Sequence, residues 1–166
     1  MSDQERSDLL EVLGKHRGLF RFTVQGLTDA QAAATPTSSA LSLGGLIKHV
    51  AFVESGWAAF IEQGTAAMEA SEGSYDAHTN SFRMLDGETL AGLLADYDTV
   101  AQRTDDLVRS LPDLNASHPL PEAPWFEPGA SWSARRVFTH IVAETAQHAG
   151  HADILRETLD GQKSMG

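Results

Sequence analysis

The sequence predicts an all-α protein, a four-helix bundle with two long connections. Four stretches of the 166-residue chain carry apolar residues at every third or fourth position, the period of an amphipathic helix. No alternating pattern of useful length indicates a strand. Two long segments, 64–87 and 112–131, separate the second, third and fourth stretches, which is typical of a bundle with crossover connections. The length suits one domain over residues 1–166.

The first helical stretch runs from about Asp3 to Gly26, where the glycine supplies a stop. Its apolar face consists of Leu9, Leu10, Leu13, Phe20 and Val24. Residues 27–42 contain a proline and a Ser/Thr cluster, so we expect a loop there.

The second stretch begins at Ser42, a favourable N-cap, and ends at Gly64. Its apolar stripe consists of Leu43, Leu46, Ile47, Val50, Val53, Trp57, Phe60 and Ile61. Residues 64–87 show no clear period, and we interpret them as a long connection with room for a short helix.

The third stretch begins near Gly87 and ends at about Leu111, before Pro112. Prolines 112, 119, 121, 124 and 128 exclude a helix from the connection that follows. The fourth stretch begins at Ser131 or Ser133 and ends at Asp160, with Gly161 as its C-terminal stop. At 1.5 Å per residue this last helix is about 42 Å long.

The composition excludes several classes of function. The net charge is −11, and such an acidic surface repels nucleic acid and anionic membranes. The chain has no cysteine, which excludes disulfides, thiolate metal ligands and a cysteine nucleophile. The first residues lack the apolar core of a signal peptide, and no apolar stretch approaches the ~20 residues of a membrane span. We therefore expect a soluble, cytoplasmic protein that acts on a small molecule.

The fourth helix carries the candidate chemistry, because polar residues interrupt its apolar stripe. At 100° per residue, Glu144 and His148 lie within about 20° of the centre of the stripe defined by Val137 and Leu155. His140 and His151 lie further round. A carboxylate at a buried position costs several kcal/mol unless it is paired or binds a cation. Because Glu144 and His148 are four residues apart, they can bind one ion together.

His49 on the second helix completes a candidate metal site. It lies about 60° from the centre of that helix's stripe, so facing helices can bring it towards Glu144 and His148. Two imidazoles and one carboxylate suit zinc, nickel or another divalent metal and leave positions open for water or substrate. His151 is an alternative ligand or a residue that orients a ligand. A Glu–His hydrogen-bonded pair without metal is the alternative interpretation.

Other features fit known site types poorly. The chain lacks a His-Glu-x-x-His motif, the paired Glu-x-x-His motifs of di-iron proteins and a glycine-rich phosphate loop. Trp57, Trp125 and Trp132 could line a pocket, although we expect Trp57 in the core and the other two to pin the proline-rich connection. Arg135 and Arg136 open the fourth helix, where we expect them to be exposed to solvent.

Two segments resemble a known family. SLGGLIKHVAFVESGW and WSARRVFTHIVAETAQHAGHADILRETLDG are similar to the DinB-like superfamily of four-helix-bundle metalloproteins, in particular to a branch catalogued as a domain of unknown function. The resemblance extends to the N-terminal helix and GLTDAQA, whereas residues 64–130 match only in length and helical character.

The resemblance implies an up-down-down-up bundle with a metal held by one residue of the second helix and two of the last. By position these are His49, Glu144 and His148. Many members carry histidine at the position of Glu144, whereas a mycothiol-dependent maleylpyruvate isomerase is similar in having glutamate. Related members include S-transferases that use mycothiol, bacillithiol or glutathione.

The leading hypothesis is a metal-dependent enzyme on a small molecule, either a thiol-dependent transferase or isomerase or a hydrolase. A non-catalytic metal- or ligand-binding stress-response protein and a structural dimer with a vestigial site are the alternatives. A homodimer is expected partly from the resemblance and partly because Phe52 and Phe138 lie about 120° and 100° from the centres of their helices' stripes.

Overall fold

The computed structural model describes residues 3–69 and 73–164, and 67% of the structure is helical. The elements in chain order are α1 (Asp3–Phe22), α2 (Asp29–Ala33), α3 (Leu43–Gln63), a 3-10 helix (Gly64–Met68), α4 (Ser74–Ser81), α5 (Leu90–Ser110), β1 (Ser117–Pro119), β2 (Ser131–Ser133) and α6 (Ala134–Asp160). The predicted all-α bundle is confirmed, with α1, α3, α5 and α6 as its four long helices.

The predicted caps define both ends of α3 and α6. The hydroxyls of Ser42 and Ser133 accept hydrogen bonds from backbone N–H groups of the first turns, which would otherwise lack partners. Gly64 and Gly161 follow the last residues with φ of 70° and 82°, a conformation that favours glycine. α5 begins at Leu90 after the N-cap Thr89, later than the expected start near Gly87.

The short elements lie in segments that carry no periodic signal. Thr28 and Gln31 form a capping box that starts α2 inside the expected loop 27–42. α4 lies in the connection 64–87, where the sequence left room for a short helix. β1 and β2 pair antiparallel across the proline-rich segment, although we predicted no strand. Each strand has only three residues, too few to show an alternating pattern.

Ion pairs and hydrogen bonds between the long helices establish their directions. Near the start of α1, Arg6 donates to the carbonyl of Leu111, beyond the end of α5, and near its end Arg21 pairs with Asp98. These two helices are therefore antiparallel. At the start of α6, Arg135 pairs with Glu5, so α1 and α6 run in parallel; Arg156, near its end, donates to the carbonyl of Thr23 just beyond α1.

The same reasoning orients α3. Lys48 near its start pairs with Glu88 just before α5, and Glu62 near its end pairs with Arg103 of α5. Thus α3 and α5 run in the same direction, opposite to α1 and α6, and the predicted up-down-down-up arrangement is confirmed.

The core consists of two apolar clusters along the bundle axis. One contains Phe20, Val50 and Tyr97, and the other contains Trp57 and Phe138. Phe138 is fully buried, so the expectation that it forms an exposed patch with Phe52 is wrong. It packs inward because the α6 stripe is wider than the line through Val137 suggested. No helix in the described ranges is long and apolar enough to cross a membrane.

Candidate metal centre

The antiparallel seam between α3 and α6 brings together the three residues predicted to bind a metal. His49 and His148 have ring centres 5.0 Å apart, and the rings are nearly perpendicular. Glu144 Oε2 lies 3.7 Å from His148 Nε2, as expected for residues four apart on one helix. His49 is buried, with 5% of its surface exposed, whereas Glu144 and His148 are partly exposed. The cluster therefore lies at the edge of the core and is open to one side.

His49 is held by residues at the C-terminal end of α4. Its Nδ1 lies 2.8 Å from the hydroxyl oxygen of Ser81, and its ring stacks on Phe82 with centres 3.7 Å apart and planes 20° apart. The ring of His78 is 5.8 Å away, edge to face. The predicted ligand is thus fixed in plane and in rotation by side chains from a different helix.

His148 has a different partner on each nitrogen. Its Nε2 faces Glu144, and its Nδ1 lies 3.4 Å from Nδ1 of His151, so one of these imidazoles donates to the other. His151 therefore contacts the nitrogen of His148 that points away from the carboxylate. This geometry suits a residue that orients His148, one of the two roles that the sequence left open for it.

Burial keeps the histidines of the seam neutral. It is the main cause that lowers the pKa of His49 to about 4, with smaller contributions from His148 and His78. Burial also lowers the pKa of His148, with a smaller contribution from His151. Metal ligation requires neutral imidazole, so both side chains are in the required protonation state at neutral pH.

His140 extends the cluster towards the aromatic residues. Its Nε2 lies 3.5 Å from Glu144 Oε1, and its ring meets Trp57 and Trp132 edge to face at 4.9 and 5.1 Å. Burial lowers its pKa, although Glu144 opposes this. A neutral imidazole beside the predicted ligands can accept a proton. The sequence analysis located His140 further from the centre of the α6 stripe and predicted no role for it.

Trp57 lies in the core as expected, whereas Trp125 and Arg135 differ from their expected roles. Trp57 is buried and stacks on Trp132, with ring centres 4.8 Å apart, but Trp125 is 77% exposed and does not pin the proline-rich connection. Arg136 lies over the ring of Trp132 at 4.0 Å. Arg135 pairs with Glu5 and so differs from the expectation, whereas Arg136 is exposed to solvent as expected.

Sequence reasoning missed several residues with clear structural roles. Ser81 and Phe82 follow no helical pattern of their own, and nothing in the sequence links them to His49. Arg17 and Glu54 could have been found, because each lies at helical spacing between apolar residues of its stripe. Arg17 Nη2 pairs with Glu54 Oε1 at 2.5 Å, and its Nη1 pairs with Asp105 at 2.7 Å.

The donor set of the seam fits a divalent metal in type, and the two imidazoles fit one in spacing. Two imidazoles that bind one tetrahedral zinc ion have ring centres roughly 5 Å apart, given Zn–N bonds of about 2.0–2.1 Å. The 5.0 Å between His49 and His148 agrees with this. Within residues 3–69 and 73–164, however, no three His, Asp or Glu side chains already form a group that could hold an ion. The three predicted ligands are therefore not arranged as a complete three-ligand group.

The fold and the seam define a class: an up-down-down-up four-helix bundle with a histidine–carboxylate cluster between its second and last long helices. The sequence model of the mycothiol-S-transferase family matches residues 8–161, and the chain belongs to that family. The family is one of thiol-dependent transferases within the DinB-like group, which confirms the resemblance identified in the sequence.

A solved structure supports the fold independently. The conserved protein from Enterococcus faecalis is similar over 98% of this chain and 99% of its own, with a TM-score of 0.71 and 13% identity. At that identity the similarity concerns the fold alone. No curated protein matches the sequence.

Proposed function

We propose that this protein is a metal-dependent S-transferase that uses a low-molecular-weight thiol of the mycothiol type. The observation that carries the proposal is the meeting of His49, Glu144 and His148 at one partly open seam. The family match supports the thiol. The three side chains are the proposed ligands of a divalent cation, zinc or nickel by donor type.

The chemistry of the site follows from the metal and from the residues around it. A divalent cation at this position would lower the pKa of a thiol or of water and so supply a nucleophile near neutral pH. In S-transfer the sulfur bonds to an electrophilic carbon, the leaving group departs with its electron pair, and the thiol proton passes to a base. His140 is a neutral base next to Glu144, and the rings of Trp57 and Trp132 hold it there.

The substrate is proposed to be small. Side chains of α3, α4 and α6 meet at the seam, and the net charge of −11 disfavours nucleic acid. A thiol cosubstrate and a chain without cysteine are consistent with the expected cytoplasmic location.

Elemental analysis and a turnover assay test the proposal together. We expect about one zinc or nickel per chain in the wild type and much less in His148→Ala. A panel of small electrophiles would be assayed with mycothiol, bacillithiol, glutathione or no thiol. We expect metal-dependent turnover with mycothiol, and equal rates in the wild type and His148→Ala would remove the metal from the mechanism.

Two outcomes favour the alternatives. Metal binding without turnover in any condition would indicate the non-catalytic binding protein. Turnover without added thiol would indicate the hydrolase, since water would then occupy the open position.

We also propose a homodimer whose interface contains Phe52 but not the buried Phe138. The family resemblance suggests it, and Phe52 on α3 and Ile154 on α6 remain 44% and 62% exposed. Light scattering at micromolar concentration should give the mass of two chains, and Phe52→Ser should reduce it. Phe22→Ser on α1, also partly exposed, is the control. A monomeric mass for the wild type would contradict the proposal.

A further inference from the structure

We propose that Ser81 is a positioning residue whose hydroxyl holds His49 in the tautomer that keeps the lone pair on Nε2. The inference rests on the proposed function, because the free lone pair is what a metal would use. Ser81 belongs to the connection between the second and third long helices, outside the segments that carry the family resemblance.

Counting hydrogen atoms determines the tautomer. The Ser81 hydroxyl donates its one proton to the carbonyl oxygen of His78 at 2.6 Å. At the 2.8 Å contact with His49 Nδ1, the serine oxygen must therefore accept, and Nδ1 must carry the proton. A neutral imidazole has one N–H, so Nε2 keeps its lone pair. In the described part of the chain no hydrogen-bond donor occupies Nε2.

The geometry depends on a close approach between two backbone segments. A Cβ atom at Gly45 would lie 2.0 Å from the carbonyl oxygen of Phe82, far below any tolerated contact. A Cβ at Gly44 would lie 2.3 Å from the sulfur of Met84, a flexible side chain that can move. Gly45 therefore lets the segment after α4 cross the first turn of α3, with Ser81 and Phe82 against His49.

The hydroxyl acts on binding through His49 and contacts neither substrate nor metal. Hydrogen bonds to the second nitrogen of a ligating histidine fix its tautomer and orientation, and their loss typically costs 10–100-fold in metal affinity. Without the Ser81 hydroxyl, the proton of His49 is free to move to Nε2, where it blocks coordination until the ring changes tautomer.

Two measurements on Ser81→Ala test the inference. Long-range 1H–15N spectra of the metal-free full chain should show Nδ1–H for His49 in the wild type and a substantial Nε2–H population in the variant. Competition of Zn²⁺ with a chromophoric chelator should give a Kd about 10–100-fold higher for the variant. Thr79→Ala, which removes an exposed hydroxyl from the same helix, is the control and should match the wild type in both.

The outcomes separate this inference from the proposed function. An unchanged tautomer in a folded Ser81→Ala would overturn the role of Ser81, whether or not the protein binds metal. A wild type that binds no Zn²⁺ but shows the Nδ1–H tautomer, lost in the variant, would overturn the proposed function and leave the positioning role intact.

Gly45→Ala tests the same arrangement from α3. Because the new Cβ would meet the Phe82 carbonyl, the segment after α4 must move, and we expect the His49 tautomer to become mixed and the Kd for Zn²⁺ to rise. Gly44→Ala should have a smaller effect on both. A folded Gly45→Ala with the wild-type spectrum would show that the close approach does not hold Ser81 in place.

Discussion

Two polar clusters interrupt the apolar core of the bundle, and both depend on α3. His49 lies in the seam with α6, and Glu54, five positions later on α3, faces α1 and α5. Glu54 is 1% exposed and Arg17 pairs with it directly, whereas Glu144 in the seam is 28% exposed and, within the described residues, lies at ion-pair distance only from two histidines.

The difference concerns the source of the compensating positive charge. At Glu54 the chain supplies a guanidinium, which stays charged at any pH at which the protein folds. At Glu144 burial lowers the pKa of both neighbours, His140 and His148, so they are neutral at neutral pH. The first cluster therefore has its compensating charge within the chain, and at the second we propose that an external cation supplies it.

Replacement of Arg17, the positively charged partner of Glu54, should cause the largest loss of stability. In Arg17→Met the carboxylate of Glu54 stays buried without its partner, and breaking a buried pair on one side typically costs about 3–5 kcal/mol. We expect that loss in the free energy of unfolding, measured with urea. Arg21→Met is the matched control, since Arg21 lies one turn later on α1 and pairs with the exposed Asp98.

The double variant Arg17→Met, Glu54→Met sharpens the comparison. With both charges gone the deeply buried carboxylate is removed, and Asp105, which also pairs with Arg17, is partly exposed and keeps Arg109, so much of the lost stability should return. Equal losses in Arg17→Met and Arg21→Met would contradict the importance of burial at Glu54.

Acid should lower the stability of the folded protein through protonation of His49. In the unfolded chain this side chain binds a proton below its ordinary pKa of 6.5, whereas in the folded protein it does so only near pH 4. The unfolded state therefore holds more protons between these values, and the contribution to stability is complete above pH 6.5 and lost as the pH falls to about 4. For a fully buried imidazole the loss is on the order of 3 kcal/mol.

The measurement is a urea titration of metal-free protein at several pH values between about 4 and 7, the range in which a histidine charges. His49→Gln should flatten the part of the profile that His49 causes. His16→Gln on α1, outside the α3–α6 seam, is the control and should follow the wild type. A wild-type slope in His49→Gln would assign the acid sensitivity to other groups.

Most of the fold was predictable because it depends on local signals. The stripes of the long helices, the caps Ser42 and Ser133 and the glycines after α3 and α6 act within a few residues, so the sequence reveals them. The burial of Phe138 was predicted wrongly. Its angle from the centre of the stripe does not show how much of the α6 surface the neighbouring helices cover.

The site was predictable only as far as it follows helical periodicity. Glu144 and His148 are four apart on one helix, and His49 lies on a strongly patterned one. Ser81 reaches His49 from 32 residues away in sequence, through a tertiary contact. No periodicity encodes such a contact, and the glycine that permits it is visible only once both segments are in place.

An external cation should stabilise the seam cluster by mass action. At a Zn²⁺ concentration about 100 times the Kd, the gain in the free energy of unfolding is about 2.7 kcal/mol. We expect this gain in the wild type, its reversal by EDTA and its absence in His148→Ala. Arg17→Met should keep the gain despite its lower stability, because the two clusters have separate sources of charge. Stabilisation of His148→Ala equal to that of the wild type would place the metal elsewhere.

The smallest effect is expected at Glu62, the second carboxylate of α3. Glu62 lies eight residues after Glu54 on the same helix and pairs with Arg103 of α5, but the two side chains are 39% and 41% exposed. Exposed ion pairs contribute about 0.2–1 kcal/mol, and salt screens them. Glu62→Gln should therefore lower the free energy of unfolding by less than about 1 kcal/mol, and by still less at about 1 M salt. Urea titrations at low and high salt measure both values. Because Glu62 and Glu54 share the helix and the residue type, and each pairs with an arginine, a loss as large as that of Arg17→Met would mean that burial does not decide which carboxylate of the bundle needs a cation.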